Sequence, residues 1–89
     1  MVSDVNRYDH TFSAVCPSDG AAIIYHLTIA TDEVIMAERI VKACRFDQPQ
    51  FHEALANNLA KKFSGEQTLT AMHQGVHITT TRKGPPYDK

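Results

Sequence analysis

The chain of 89 residues is long enough for one small domain, and its formal net charge of −1, without a long run of one sign, lacks the basic patch of a nucleic-acid-binding protein. A small anionic or neutral ligand is compatible with this charge balance. Two cysteines are too few for a disulfide scaffold, and no apolar run resembles a signal peptide or a membrane span. These features predict a soluble cytoplasmic protein.

Two stretches of alternating apolar and polar residues begin the domain. The first runs from His10 to Cys16, and the second runs from Ala21 to Thr31 and is rich in β-branched and aromatic side chains. The segment Pro17 to Gly20 between them has the residues of a tight turn. The pattern therefore predicts a β-hairpin with Cys16 at the end of its first strand.

The hydrophobic period then becomes helical. Thr31 and Asp32 are suitable caps for a first helix that runs through Arg45. Its buried face is predicted from four residues at helical spacing: Met36, Ile40, Ala43 and Cys44. Pro49 breaks this helix and can equally open a second one, in which apolar residues fall four apart: Phe51, Leu55, Leu59 and Phe63. We interpret Cys44 as a packing residue.

Alternation returns after Gly65 and predicts two more strands. Leu69, Ala71 and His73 share one face of the third strand, and Val76 to Arg82 form the fourth. Gln74-Gly75 between them is a typical hairpin pair. The predicted boundaries are a flexible lead-in over residues 1–9, a single domain over 10–82 and a flexible tail over 83–89.

This order of elements predicts an α+β fold with a ββααββ unit. Both hairpins can join one four-stranded antiparallel sheet, with the two helices layered on one of its faces. Such a sheet has open edges and a second face that is partly apolar. Closing several copies into a barrel would cover both, so we predict a homo-oligomer.

Two short sequence motifs are similar to motifs of a known protein family. The first is Phe12-Ser13-Ala14-Val15-Cys16-Pro17 followed by Gly20, and the second is Phe51-His52-Glu53 at the start of the second helix. Together with the element order, they resemble the QueF-type nitrile reductases of the tunnelling fold. Members of that fold assemble into barrels and bind purines or pterins between subunits, and the QueF-type enzymes act on 7-cyano-7-deazaguanine.

The resemblance implies a role for each matching residue. Cys16 matches the cysteine whose thiolate adds to the nitrile carbon and forms a covalent thioimide. Glu53 matches the carboxylate that binds the guanine-like edge of the ring, and His52 matches the histidine beside it. The residue types suit this chemistry, because a thiolate attacks a soft electrophile, a carboxylate accepts paired N–H bonds and a histidine moves protons near neutral pH. The acid is expected from a neighbouring copy.

Two positions depart from the family pattern. The family's aspartate, seven residues after its cysteine, is Ile23 here, and Asp19 is a candidate replacement as proton donor. The family's Glu-Ser-Lys-Ser segment, linked with NADPH, corresponds to Glu33-Val34-Ile35-Met36, which lacks the lysine. No cofactor is therefore assigned, and NADPH stays open as an alternative. Short relatives pass an amine to the same thioimide without a nucleotide, so nitrile reduction and amidine formation, in queuosine-type or archaeosine-type metabolism, both stay open.

Two alternative functions belong to other classes. The chain could be a non-catalytic module of this fold that binds a purine or pterin or assembles with a partner. It could also be a metal-dependent pterin enzyme, if His73 and His77 shared a metal across their turn with His26 nearby. However, alternation can also place His73 and His77 on different faces of the sheet, and no third ligand is obvious. We therefore predict no metal site.

Overall fold

The computed structural model describes residues 4–86 as a four-stranded sheet with two helices. Its elements, in chain order, are β1 (Asn6–Val15), β2 (Ala22–Thr31), α1 (Ala37–Ala43), α2 (His52–Lys62), β3 (Glu66–His73) and β4 (Val76–Lys83). All neighbouring strands are antiparallel, in the order β1-β2-β3-β4. The predicted α+β class, ββααββ order and antiparallel sheet are confirmed. No helix within residues 4–86 is long and apolar enough to cross a membrane.

The core lies between one face of the sheet and the helices. Every second residue of β2 is buried on this face: Ile23, Tyr25, Leu27 and Ile29. Leu55 and Leu59 of α2 and Ile40 of α1 belong to the same buried cluster. The opposite face exposes apolar side chains such as Ile24 and Met72. The predicted alternation of β2 and the fourfold spacing within α2 therefore describe the observed burial.

β1 begins at Asn6, four residues before the predicted start at His10. Its first residues are polar and carry no apolar alternation, but they pair with the far half of β2, where Asn6 lies opposite Thr31. The Tyr8 hydroxyl accepts the backbone N–H of Ile35 at 3.0 Å. Residues 6–9 therefore belong to the sheet and not to a lead-in, whereas residues 1–3 of that predicted segment lie outside the described chain.

α1 is shorter than predicted and begins at Ala37. Thr31 is the last residue of β2, and its hydroxyl accepts the N–H of Glu33 at 3.1 Å, so a turn separates the strand from the helix. This later start corrects the predicted cap and leaves Met36 60% exposed, while Ile35 is buried. Cys44 is buried as predicted, and burial raises the pKa of its thiol to about 11.

The predicted tail begins inside the packed structure. β4 continues to Lys83, and the N–H of Gly84 donates to the carbonyl of Gly65 at 2.8 Å. Gly84 is buried so closely that a Cβ atom there would overlap the backbone of Phe63. Residues 83 and 84 therefore anchor the end of the chain, and residues 87–89 of the predicted tail lie outside the described chain.

Both hairpin turns lie at the same end of the sheet, and α2 begins beside them. Gly20 and Gly75 have φ values of +72° and +81°, which glycine adopts at no steric cost. The side-chain amide of Gln74 donates to Asp19 Oδ2 at 3.3 Å and joins the two turns. We call this region the pocket end, and the region around Thr31 and Ser64 the distal end.

Candidate functional site

A pocket of about 410 Å³ opens at the pocket end. All four residues predicted for the site line it: Cys16, Asp19, His52 and Glu53. His73 and the apolar side chains of Phe51 and Val76 complete much of the wall. A concave site with apolar walls and a few convergent polar groups is the usual form of a small-molecule site.

The turn after β1 fixes Cys16 at the pocket wall. The backbone N–H of Cys16 donates to the carbonyl of Ala21, and its own carbonyl accepts the N–H of Gly20, both at 2.9 Å. The side chain is 9% exposed and lines the pocket, whereas Cys44 is 3% exposed in the core. Both cysteines are free. Only Cys16 therefore presents a thiol to a ligand-sized space.

Asp19 holds the turn in place beside Cys16. Its Oδ1 accepts the N–H of Ala21 at 3.0 Å and its Oδ2 accepts the amide of Gln74. The bond from Ala21, followed by the bond from Gln74, lowers the pKa of the Asp19 carboxyl. A carboxylate held ionised in this way accepts hydrogen bonds, which argues against its predicted role as a proton donor.

Glu53 lies in the first turn of α2 with its side chain exposed at the pocket. Within residues 4–86, no protein group donates a hydrogen bond to its carboxylate. Phe51 precedes the helix and is 59% exposed beside it, although its spacing predicted the buried face of α2. An unpaired carboxylate beside an exposed aromatic ring can bind the edge and the face of a flat heterocycle.

His52 also reaches the pocket, but its ring is only 2% exposed. Its Nε2 lies 3.1 Å from the carbonyl oxygen of Leu69, and its Nδ1 lies 3.4 Å from His73 Nε2. Burial lowers the pKa of His52, so the ring is neutral at pH 7. Because protein atoms contact both nitrogens, His52 has no free nitrogen for the predicted contact with substrate.

Two residues beside the pocket were absent from the predicted site. His73 was considered only as a metal ligand, and Tyr25 only as an alternating strand residue. Tyr25 is fully buried, its ring lies 5.4 Å from that of His52, and its hydroxyl has no hydrogen-bond partner. Burial, with the nearby Cys16 and Glu53, raises the pKa of this phenol. The sequence contains one indication of a special role for Tyr25: it carries a hydroxyl group between apolar side chains on the same face of β2.

The histidines proposed for a metal do not converge. His77 pairs with Met72, so it lies on the opposite face of the β3–β4 hairpin from His73. His26 contacts Asp9 at 3.3 Å and Thr11 at 3.0 Å, also on that opposite face. Across residues 4–86, no three histidine, cysteine or acidic side chains form a group that could hold a metal ion.

The segment compared with the NADPH motif lies at the distal end. Glu33 bonds to Arg39 at 2.9 Å and accepts the Ser64 hydroxyl at 2.9 Å. The carboxylate is thus occupied within the chain, at the opposite end of β2 from Cys16.

Comparison of the chain with known protein families, curated proteins and solved structures finds no significant match. The pocket itself shows which chemistry the chain can support. Its thiol can form a covalent bond, its carboxylates can accept N–H groups, and its histidine pair can carry protons. Two carboxylates, Asp19 and Glu53, make the pocket unfavourable for an anionic ligand and favour a neutral one.

Proposed function

We propose that this protein binds a purine-like heterocycle with a nitrile substituent, of the 7-cyano-7-deazaguanine type, and forms a covalent thioimide with it at Cys16. The observation that carries the proposal is that Cys16, Asp19, His52 and Glu53 line one pocket. These residues come from positions far apart in the sequence, at the β1–β2 turn and at the start of α2.

Recognition of the heterocycle follows from the groups at the pocket mouth. The Glu53 carboxylate can accept two N–H bonds from an aminopyrimidinone edge, and such charge-assisted pairs are stronger than neutral ones. The exposed Phe51 ring offers a surface for stacking. A neutral, flat ligand is also compatible with the two carboxylates of the pocket.

The proposed covalent step adds the Cys16 S–H group across the nitrile. The sulfur bonds to the nitrile carbon, one π bond of the C≡N group breaks, and the nitrogen takes the proton. Nothing leaves, so the protein gains the full mass of the ligand. Of the two later fates within deazapurine metabolism, amidine formation is favoured over reduction with NADPH, because Glu33-Val34-Ile35-Met36 lacks the lysine and Glu33 is bound to Arg39.

A homo-oligomer in the cytoplasm is part of the proposal. β1 and β4 are edge strands, and exposed edges favour pairing with another copy. The two free cysteines suit a reducing compartment. One chain brings its own Glu53 to the pocket of Cys16, which differs from the expectation that a neighbouring copy supplies the acid. Association with another copy would then close the pocket, and would not be needed to supply the carboxylate of Glu53.

Intact-protein mass spectrometry after incubation with 7-cyano-7-deazaguanine tests the proposal. We expect one adduct of the full ligand mass on the wild type and on Cys44→Ala, and none on Cys16→Ala. Circular dichroism checks that both variants are folded. An unlabelled wild type, or an adduct that persists in Cys16→Ala, would contradict the proposal. Binding without an adduct would instead favour the non-catalytic module.

A further inference from the structure

His73 is a pocket residue whose surroundings leave one of its nitrogens available. It is the last residue of β3 and lines the pocket with Cys16. Its ring packs at a steep angle against those of His52 and Tyr25, with centroids 5.4 Å and 5.7 Å away. Within residues 4–86, His73 Nδ1 has no hydrogen-bond partner.

The hydrogen-bond pattern of His52 determines which nitrogen of His73 carries the proton. A carbonyl oxygen only accepts, so the contact with Leu69 requires a proton on His52 Nε2. A neutral His52 then has a lone pair on Nδ1, and that lone pair accepts the Nε2–H of His73. Neutral His73 is consequently held in the tautomer with its basic lone pair on Nδ1.

We propose that His73 is the proton-transfer residue of the thioimide step and that His52 is the positioning residue that fixes its tautomer. This inference rests on the proposed function. His73 Nδ1 takes the proton of the Cys16 thiol, and the sulfur bonds to the nitrile carbon. As one π bond of the nitrile breaks, its electron pair moves to the nitrogen, which receives the proton from His73. The sum is addition of S–H across C≡N, with no further reactant.

The charges around His73 suit the positive charge that its ring gains in this step. The titratable groups that share its pocket wall or pack behind it are Cys16, Asp19, Tyr25, His52, Glu53 and, beyond His52, Arg82. Two of these are carboxylates on the pocket side, which attract an imidazolium. His52 is neutral behind it, so the positive charge has no cation in direct contact.

The rate of adduct formation, followed by mass spectrometry from pH 5 to 9, tests this role. His73→Gln retains a side-chain N–H for His52 but cannot exchange a proton, so we expect a rate about 100-fold lower at pH 7, within the usual range for general acid–base catalysis. Labelling at Cys16 should still reach completion. His77→Gln is the matched control on the opposite face of the same hairpin, and its rate should not change. His52→Leu should shift the pH profile, because it removes the acceptor for the Nε2–H of His73.

Each outcome separates the two proposals. A wild type that never labels contradicts the proposed function itself, and this inference with it. A wild type that labels, with His73→Gln labelling at the same rate and with the same pH profile, overturns only the role of His73. If His73→Gln does not fold, ring ¹⁵N NMR of the wild type decides, because we expect Nε2–H tautomers for both histidines. A proton on Nδ1 of His52 would overturn the inference.

Discussion

The two ends of the sheet differ in how their polar side chains are satisfied. At the distal end, Thr31 and Ser64 share a hydrogen bond of 2.7 Å, Ser64 donates to Glu33, and Glu33 pairs with Arg39. Arg39 also donates to the carbonyl of Lys62 at 2.9 Å. At the pocket end, the Glu53 carboxylate and the Tyr25 hydroxyl have no hydrogen-bond partner within residues 4–86. Towards the distal end, the buried Oε1 of Gln67 also lacks one, while its side-chain amide donates to the carbonyl of Phe63 at 2.8 Å.

This contrast separates stability from binding. Hydrogen bonds around the two buried hydroxyls of Thr31 and Ser64 stabilise one arrangement, because each group would lose its partner if the arrangement changed. Buried polar atoms without partners are uncommon in folded proteins and require a specific explanation. We infer that the distal end contributes to folding and that the pocket end retains polar groups for a ligand.

The largest expected effect is on ligand affinity at the pocket end. Glu53→Gln should weaken binding of 7-cyano-7-deazaguanine by about 10–100-fold, because hydrogen bonds to a charged group contribute about 1.5–3 kcal/mol. Calorimetry on the Cys16→Ala background measures the non-covalent affinity alone. Glu38→Gln, in the first turn of α1, is the matched control and should leave the affinity unchanged. Equal affinities in the two variants would refute the role of Glu53.

The next effect is on stability at the distal end. Ser64→Ala should lower the free energy of unfolding by about 1–3 kcal/mol, because it removes a partner from both Thr31 and Glu33. Urea denaturation measures the loss. Ser13→Ala, at an exposed position of β1, should change the same quantity by less than about 0.5 kcal/mol. A loss of ligand affinity in Ser64→Ala without a loss of stability would reverse the proposed division.

A smaller effect concerns the dependence of stability on pH. The folded protein holds the pKa of His52 below its unfolded value of about 6.5, mainly through burial. The unfolded chain therefore binds more protons as pH falls below that value, and stability declines toward the folded pKa. His52→Gln should make the free energy of unfolding depend less steeply on pH between 7.5 and 5. An unchanged slope would show that His52 is not the group responsible.

The smallest expected effect is that of removing the Tyr25 hydroxyl. Tyr25→Phe should change the free energy of unfolding by no more than about 0.5 kcal/mol, since the lost hydroxyl has no partner in the described chain. Tyr8→Phe is the control and should lose about 1 kcal/mol, because its hydroxyl accepts the N–H of Ile35. Thermal and urea unfolding compare the two. A larger loss in Tyr25→Phe would mean that its hydroxyl stabilises the fold.

Much of the fold could be predicted, because the burial of one face of each element determines the spacing of its apolar residues. β2 alternates over its whole length, and the apolar residues of α2 recur every four positions. The start of β1 could not be predicted, since its polar residues are ordered by pairing with β2. The start of α1 was also hidden, because the hydroxyl of Thr31 bonds to Ser64, which lies 33 residues later in the chain.

Site residues could be predicted where a short sequence motif indicates them. The turn after Cys16 and the first turn of α2 both stand out in the sequence, and the fold brings them to one pocket. The proposed role of His73 could not be predicted from its position in the sequence. That role depends on a contact with the ring of His52, which is 21 residues away in the chain. No local pattern indicates that one histidine holds the other in a given tautomer.

The most direct test of the contrast between the two ends is to map the ligand on the ¹⁵N-labelled Cys16→Ala variant by NMR. Titration with 7-cyano-7-deazaguanine should shift the amide resonances of Asp19, Glu53 and His73, and leave those of Thr31 and Ser64 in place. An unchanged spectrum, or shifts confined to the distal end, would contradict the assignment of the pocket end as the ligand-binding site.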